Sequence, residues 1–300
     1  MTRATLSRRA LLAQAVASGA ALCALPAFAD SDARLLSIGG SVTEIVHALG
    51  QGHRLVARDT TSTYPPEVED LPDVGYARAL SPEGVLSVNP SHILAIEDAG
   101  PPETIDVLKA SGIPFTSVPD ARDGPGILRK IAVVGDALDT AAGARALIAE
   151  TRAALDAAAR QTARIAPENR KRVLFILSLQ GGRILAGGRD TQAAGIIEMA
   201  GGINAVDAFT GYKPMTDEAV TRAAPDVILM MDRGGDHAVT RDALLSMPAI
   251  RTTPAARDNA VIRMPGLYLL GFGPRTAQAV RDLNTAIYDT QQGRDDTDPS

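Results

Sequence analysis

The 300 residues include one cysteine, Cys23, and no tryptophan. A lone thiol closes no intrachain disulfide and builds no multi-cysteine metal site. Cys23 also falls within the export leader described below, so the mature chain is expected to carry no thiol chemistry at all. Histidine is scarce as well: the four residues stand apart at 47, 53, 92 and 237, whereas a zinc or manganese carrier gathers histidines and carboxylates together. No Gly-x-Ser-x-Gly elbow, Walker-type phosphate loop or His-Glu-x-x-His occurs. Gly271-Phe272-Gly273-Pro274 lacks the third glycine of a dinucleotide fingerprint and follows no clear βαβ opening. These absences argue against an enzyme. A basic surface is missing too, with 30 Lys and Arg against 35 Asp and Glu, which argues against a nucleic-acid partner.

Long apolar runs are confined to the beginning of the chain. Ser7-Arg8-Arg9-Ala10-Leu11-Leu12 opens a stretch rich in Ala and Leu that ends at Ala27-Phe28-Ala29, before Asp30. Basic residues, an apolar centre and small residues at the end make residues 1–29 an export signal. The arginine pair points to the twin-arginine route, with the general secretory route as the alternative. The run between Arg9 and Pro26 is short for a spanning helix, which needs about 20 apolar residues. Leu22 precedes Cys23 where a lipoprotein signal places a small residue. The leader holds Arg3, Arg8 and Arg9 and no acid, so the mature chain keeps 27 basic residues against 35 acidic ones, a formal charge of about −8. The expected product is a periplasmic protein that is not embedded in the membrane, and a monomer.

Beyond the leader, short aliphatic runs alternate with helical patterns. Strands are expected at 35–38, 53–56, 92–95, 115–118, 173–177 and 227–231, and helices at 41–49, 81–86, 191–199 and 216–223. This alternation is the βαβ rhythm of parallel sheets covered on both faces. Ser41 reads as an N-cap, as does Ser81 with Pro82 in the first turn behind it. An alanine-rich stretch from Gly126 to Ala163 reads as a connecting helix. The expected division is a leader at 1–29, an N-terminal lobe at 30–125, a connecting region at 126–166, a C-terminal lobe at 167–290 and a polar, acidic, disordered tail at 291–300. Length alone favours two domains over one core. The lobes share a phrase, in that Ser81-Pro82-Glu83 through Pro90 to Leu94 has the same form as Thr216-Asp217-Glu218 through Pro225 to Leu229. Cap, acid, short helix, proline stop and aliphatic strand recur in that order, placing Glu83 and Glu218 at matching positions.

Several segments carry a resemblance: Leu35 to Ile45 with its Gly39-Gly40-Ser41, Asp59 to Pro66, Asp73-Val74-Gly75-Tyr76-Ala77-Arg78-Ala79-Leu80-Ser81, Ala200 to Ala205, and Gly271-Phe272-Gly273-Pro274-Arg275. Together they resemble the periplasmic haemin-binding proteins of bacterial haem ABC importers, in a superfamily shared with siderophore and cobalamin binders. The likeness covers essentially the whole mature chain, and Val-Gly-Tyr-x-Arg-x-Leu-Ser is the phrase that points to haem. It implies an α/β fold of two Rossmann-like lobes with parallel sheets, joined by a single long helix, with ferric haem held in the cleft between them. It also implies delivery to the permease subunits of an importer.

Tyr76 is the expected iron ligand. A phenolate oxygen suits hard ferric iron, but tyrosine ionises near pH ~10 unaided, so a neighbouring cation helps. Arg78 supplies one if the segment is extended and side chains repeat with period two; in the haem-binding relatives the Tyr-x-Arg pair takes these roles. Arg233, in the loop after strand 227–231, is a candidate to close over the iron ligand or a propionate from the second lobe, with a solvated loop arginine as the alternative, and His237 in that loop is a candidate second axial ligand, with a merely exposed histidine as the alternative. Arg189, Tyr268, Phe272 and Arg275 are candidate cleft residues, with ordinary loop packing as the alternative for each. In the relatives, one acid on each lobe meets arginines of the permease, which gives Glu83 and Glu218 a docking role; stabilisation of their own helix N-termini is the alternative. A cobalamin slot leans on aromatic walls in the relatives, and this chain has no tryptophan. Siderophore or cobalamin capture stays the nearest competitor, and a haem-modifying enzyme a more distant one.

Overall fold

Leu35, Leu36, Ser37 and Ile38 are fully buried and form β1 (Leu35–Ile38), around which the first lobe is built. The computed structural model describes residues 33–180, 183–232 and 239–289. The expected leader and acidic tail, together with Arg233 and His237, lie outside them.

The first lobe continues with α1 (Gly40–Ala48), β2 (Leu55–Arg58), α2 (Pro82–Ser87), β3 (His92–Ile96), α3 (Pro102–Ala110) and β4 (Phe115–Val118). Its four strands are parallel in the order β2-β1-β3-β4. Two helices follow, α4 (Gly124–Ala137) and α5 (Ala141–Thr162). The second lobe holds β5 (Arg172–Gln180), β6 (Arg183–Gly187), α6 (Gln192–Met199), β7 (Ile203–Asn204), β8 (Tyr212–Met215), α7 (Asp217–Ala223), β9 (Val227–Asp232), α8 (Arg241–Leu245), α9 (Pro254–Arg257), β10 (Val261–Pro265), α10 (Gly266–Leu270) and α11 (Thr276–Tyr288). Here β7, β9 and β10 extend a parallel array around β5, repeating the order of the first lobe, while β6 and β8 add antiparallel strands. The second sheet is thus mixed where the sequence rhythm suggested purely parallel pairing. Gly181-Gly182 separates the paired Gln180 and Arg183, and such a dipeptide is a hairpin signal.

The connecting region is two helices rather than one. Asp139 adopts φ 55° between them, a left-handed conformation that α-helix cannot continue through. The first, α4, packs on α1 and β4; α5, 22 residues and about 33 Å long, packs on α4, α6 and α11 and so crosses to the second lobe. One cluster of buried apolar side chains runs from Leu35, Val42 and Ile45 through Ile127, Ile131 and Leu155 to Phe175, Ile196, Phe272 and Val280. The lobes therefore share a core, and parting them would expose it to water.

The repeated phrase corresponds to repeated structure. Ser81 and Thr216 both cap short helices, accepting from Gly84 N (3.0 Å) and Ala219 N (3.2 Å). Asn89 and Ala224 end those helices at φ 48° and 41°. Arg34 N donates to Ser91 Oγ and Arg172 N to Asp226 Oδ2, each at 2.8 Å, and both arginine Nε atoms bind the C-terminal backbone of the short helix at 2.9 Å. Each arginine satisfies carbonyls that a helix end leaves unpaired.

Two local expectations change. Helix α1 begins after Gly39, at φ 107°, and Ser41 does not cap it. Asp59 takes over that end, accepting from Gly39 N at 2.8 Å. Strand β2 starts at Leu55 rather than His53, because residues 52–54 form a 3-10 turn closed by Arg54 N to Gln51 O at 3.0 Å.

Candidate functional site

Between β2 and α2 the chain alternates in burial: Val74, Ala77 and Leu80 are buried in the first lobe's core, while Tyr76 and Arg78 face outward. The segment is pinned on two sides. Toward β2, Val74 N donates to Arg58 O (2.9 Å) and Thr60 N to Gly75 O (3.0 Å). Asp73 accepts from Gly75 N (2.8 Å) and Thr60 Oγ1 (3.1 Å) and pairs with Arg58 Nη1 (3.1 Å). Toward β3, Gly100 N donates to Ala77 O and Leu80 N to Gly100 O, both at 2.9 Å. Gly75 stands at φ 102°, which a side-chain-bearing residue adopts only with strain.

Tyr76 is 45% exposed, which leaves its hydroxyl open to a ligand. Arg78 Nη1 donates to that hydroxyl at 3.1 Å. The pair meets, but not along an extended strand: Ala79 N donates to Tyr76 O at 2.8 Å, so a β-turn brings residues two apart to one side. Arg78 also forms an ion pair with Asp98, in the loop after β3. Burial works against the guanidinium charge, but Asp98 and the Tyr76 hydroxyl outweigh it and hold the pKa of Arg78 above its ordinary value.

Arg78 is felt electrostatically in the second lobe. The Tyr212 hydroxyl, on β8, is pushed up in pKa chiefly by burial, and among the smaller influences on it are Arg78, which lowers it, and Asp120, which raises it. Asp120 follows β4 and accepts from Gln192 Nε2 of α6 at 2.7 Å, a direct link between lobes. The exposed phenol and guanidinium thus lie where loops at the carboxyl ends of the parallel strands converge, the edge at which α/β sheets bind ligands.

Other expected residues are occupied differently. Phe272 is only 1% exposed; its ring end would lie 3.3 Å from a Cβ placed on Gly195 of α6, so it packs in the shared core. Arg275 binds Glu44 of α1 twice, through its backbone N (3.1 Å) and Nη2 (3.0 Å). Its guanidinium lies 3.4 Å from the ring centroid of Tyr64 and 5.3 Å from that of Tyr268. Both tyrosines flank a seam that joins the lobes. Tyr268 donates to Asp282 Oδ2 at 2.7 Å, and burial together with that carboxylate raises its pKa far above the usual phenol range. Arg189 is exposed, its backbone paired with Phe209 and Gly211 at 2.9 Å. Glu83 and Glu218 are both exposed in the first turns of α2 and α7. Glu218 is held below the usual carboxylate range by its own backbone N–H and by the Thr216 hydroxyl.

Lys130 gave no sign in the sequence beyond a charge inside an apolar helix. It is 0% exposed, and its Nζ donates to Ser41 Oγ (2.9 Å) and Gly271 O (3.2 Å). One side chain of α4 thus ties α1 to the second lobe. Burial lowers its pKa to about 8 against the pull of Asp120, Asp98 and Glu44. A separate groove of about 450 Å³ lies between α4 and α5, lined by Leu128, Ile148, Arg152 and Leu155 among others, and none of the expected ligand residues lines it. Among the described residues, no group of three or more His, Cys, Asp or Glu side chains forms a metal site, and no helix is long and apolar enough to cross a membrane.

Two α/β lobes on a shared core, with polar groups converging between them, define a two-lobed substrate-binding protein. The chain belongs to the periplasmic binding protein family, which matches residues 35–268. Among solved structures, the periplasmic heme-binding protein RhuT from Roseiflexus sp. RS-1, in apo form, is 39% identical with a TM-score of 0.82, covering 86% of this chain and 99% of that one. An uncharacterized ABC transporter substrate-binding lipoprotein of Bacillus subtilis, YvrC, is 29% identical over 258 residues, 85% of this chain and 80% of the relative. The vitamin B12-binding protein of Yersinia pestis is 36% identical over 94 residues, 31% of this chain and 33% of the relative.

Proposed function

We propose that this chain captures ferric haem in the periplasm and delivers it to the membrane permease of an ABC importer. The observation that carries the reading is the exposed Tyr76 hydroxyl with the Arg78 guanidinium 3.1 Å away. When haem binds, the Tyr76 oxygen loses its proton and bonds the iron, and Arg78 stabilises the resulting anion through a charge-assisted hydrogen bond. Export by the leader at 1–29 and docking through Glu83 and Glu218 complete the proposal. The two acids occupy equivalent sites in the repeated cap, helix and strand units, as a permease with two like subunits requires.

Haemin titration of the mature protein, followed by visible spectroscopy, tests it. Wild type is expected to develop a ferric tyrosinate charge-transfer band. Tyr76→Phe keeps the exposed ring, is expected to lose that band and to bind at least tenfold more weakly. An unchanged band would remove Tyr76 from the mechanism. Cobalamin capture, favoured by the vitamin B12-binding relative, predicts instead that cyanocobalamin displaces haemin or binds in its place.

A further inference from the structure

We infer that Asp98 sets how firmly the cleft holds its ligand, by drawing part of the Arg78 charge away from Tyr76. The inference rests on the Tyr76 reading and adds a residue to it.

The placement of Asp98 is built in. Backbone bonds between Gly100 and both Ala77 and Leu80, each 2.9 Å, zip the loop after β3 onto the turn that carries Tyr76 and Arg78. This fixes a carboxylate against the guanidinium, and Arg78 Nη2 pairs with Asp98 while Nη1 donates to the Tyr76 hydroxyl. One cation therefore serves two oxygen partners. The pair is half open to water, with side-chain exposures of 48% for Arg78 and 36% for Asp98, so it adds little to fold stability. Its effect falls on the ligand instead.

Charged groups from several elements surround the pair. Arg78 and Asp98 face each other; Asp120 comes from the loop after β4, Lys130 from α4 and the Tyr212 hydroxyl from β8. Asp98 acts on both Arg78 and Lys130, and Asp120 on Lys130. Among the described residues Asp98 thus lies within reach of two cations, while Glu44 also acts on Lys130 and Arg122 Nε lies 4.0 Å from Asp120. An anionic phenolate and the haem carboxylates are stabilised by positive potential, so the Asp98 charge weakens the hold. A carrier that must surrender its cargo gains from such weakening, because affinity differences within one site reside mostly in the dissociation rate.

Asp98→Asn tests the charge while keeping an oxygen that accepts from Arg78. Haemin release from the loaded mature protein to excess apomyoglobin is expected to slow about tenfold, the order of one neighbouring unit charge at a half-solvated site. The tyrosinate band is expected to shift in position and stay intact. Asp98→Ser, which removes the charge with a smaller side chain, is expected to change the rate in the same direction. Release at the wild-type rate, or faster, would overturn the inference, since Asp98 would then be idle or would only orient Arg78. The two readings separate cleanly: a band retained in Tyr76→Phe defeats the parent proposal, whereas a band lost there and an unaltered rate in Asp98→Asn defeats this one alone.

Discussion

The fold strongly alters the titration of Lys130. Its side chain is 0% exposed, and burial lowers its pKa from 10.5 to about 8 despite attraction from Asp120, Asp98 and Glu44. Below pH 8 both the folded and the unfolded chain hold the proton, and the folded state bears the full cost of a buried charge. Between about 8 and 10.5 only the unfolded chain holds it, so stability rises with pH across that window and levels off above it. At 1.36 kcal/mol per unit, the window is worth about 3 kcal/mol. Urea unfolding at steps from pH 7.5 to 10.5, on wild type and Lys130→Met, isolates the effect, because the other titrating groups are common to both. Methionine leaves Ser41 Oγ and Gly271 O without their donor, an offset that does not vary with pH. The stability of wild type relative to the variant is expected to climb by about 3 kcal/mol over the window, with unchanged m values. Parallel curves would refute the reasoning, since Lys130 would then ionise in the folded protein as freely as in the unfolded one.

Two further outcomes are expected. Arg275→Met leaves the Glu44 carboxylate, whose side chain is 7% exposed, with the backbone N–H of residue 275 but without its countercharge, and is expected to destabilise the protein by about 3 kcal/mol in urea unfolding, the lower end for breaking a buried pair because that N–H remains and Arg275 itself is partly solvated. Asp73→Ala releases Gly75 N and Thr60 Oγ1 from their acceptor and is expected to weaken haemin binding several-fold while lowering global stability by no more than about 1 kcal/mol; Asp73→Asn, which keeps an acceptor, is expected to restore most of the binding.

The fold was largely legible because its signals are local. Strand β4 coincides with the Phe-Thr-Ser-Val run at 115–118, and Thr191 and Thr216 cap helices where a hydroxyl precedes an apolar pattern. What escaped was governed by tertiary contact. Ser41 satisfies every local criterion for an N-cap, yet its hydroxyl is taken by Lys130, 89 positions away in the chain. Strand β8 contains Lys213 and Pro214, a poor strand sequence that pairs with β6 at the edge of the sheet, where proline is tolerated. The helix break at Asp139 left only a weak cue, a few turn formers within an otherwise helical run.

The site divides along the same line. Tyr76 and Arg78 were legible as a pair because they sit two residues apart within a phrase of recognisable form, although a turn rather than an extended strand unites them. Arg275 and Phe272 lie in an equally recognisable phrase, whose contacts at the seam the sequence did not reveal: Gly273 brings its backbone beside Glu44, where an added Cβ would sit 3.3 Å from the carboxyl group, and Arg275 binds that group twice. Asp98 and Lys130 were invisible for a different reason. Each has a role only through a partner distant in sequence, Arg78 for the one and Ser41 with Gly271 for the other. A residue defined by such a partner leaves no periodic or motif trace. In a two-lobed protein the groups that tune the cleft are of this kind, because the cleft itself exists only after both sheets have formed.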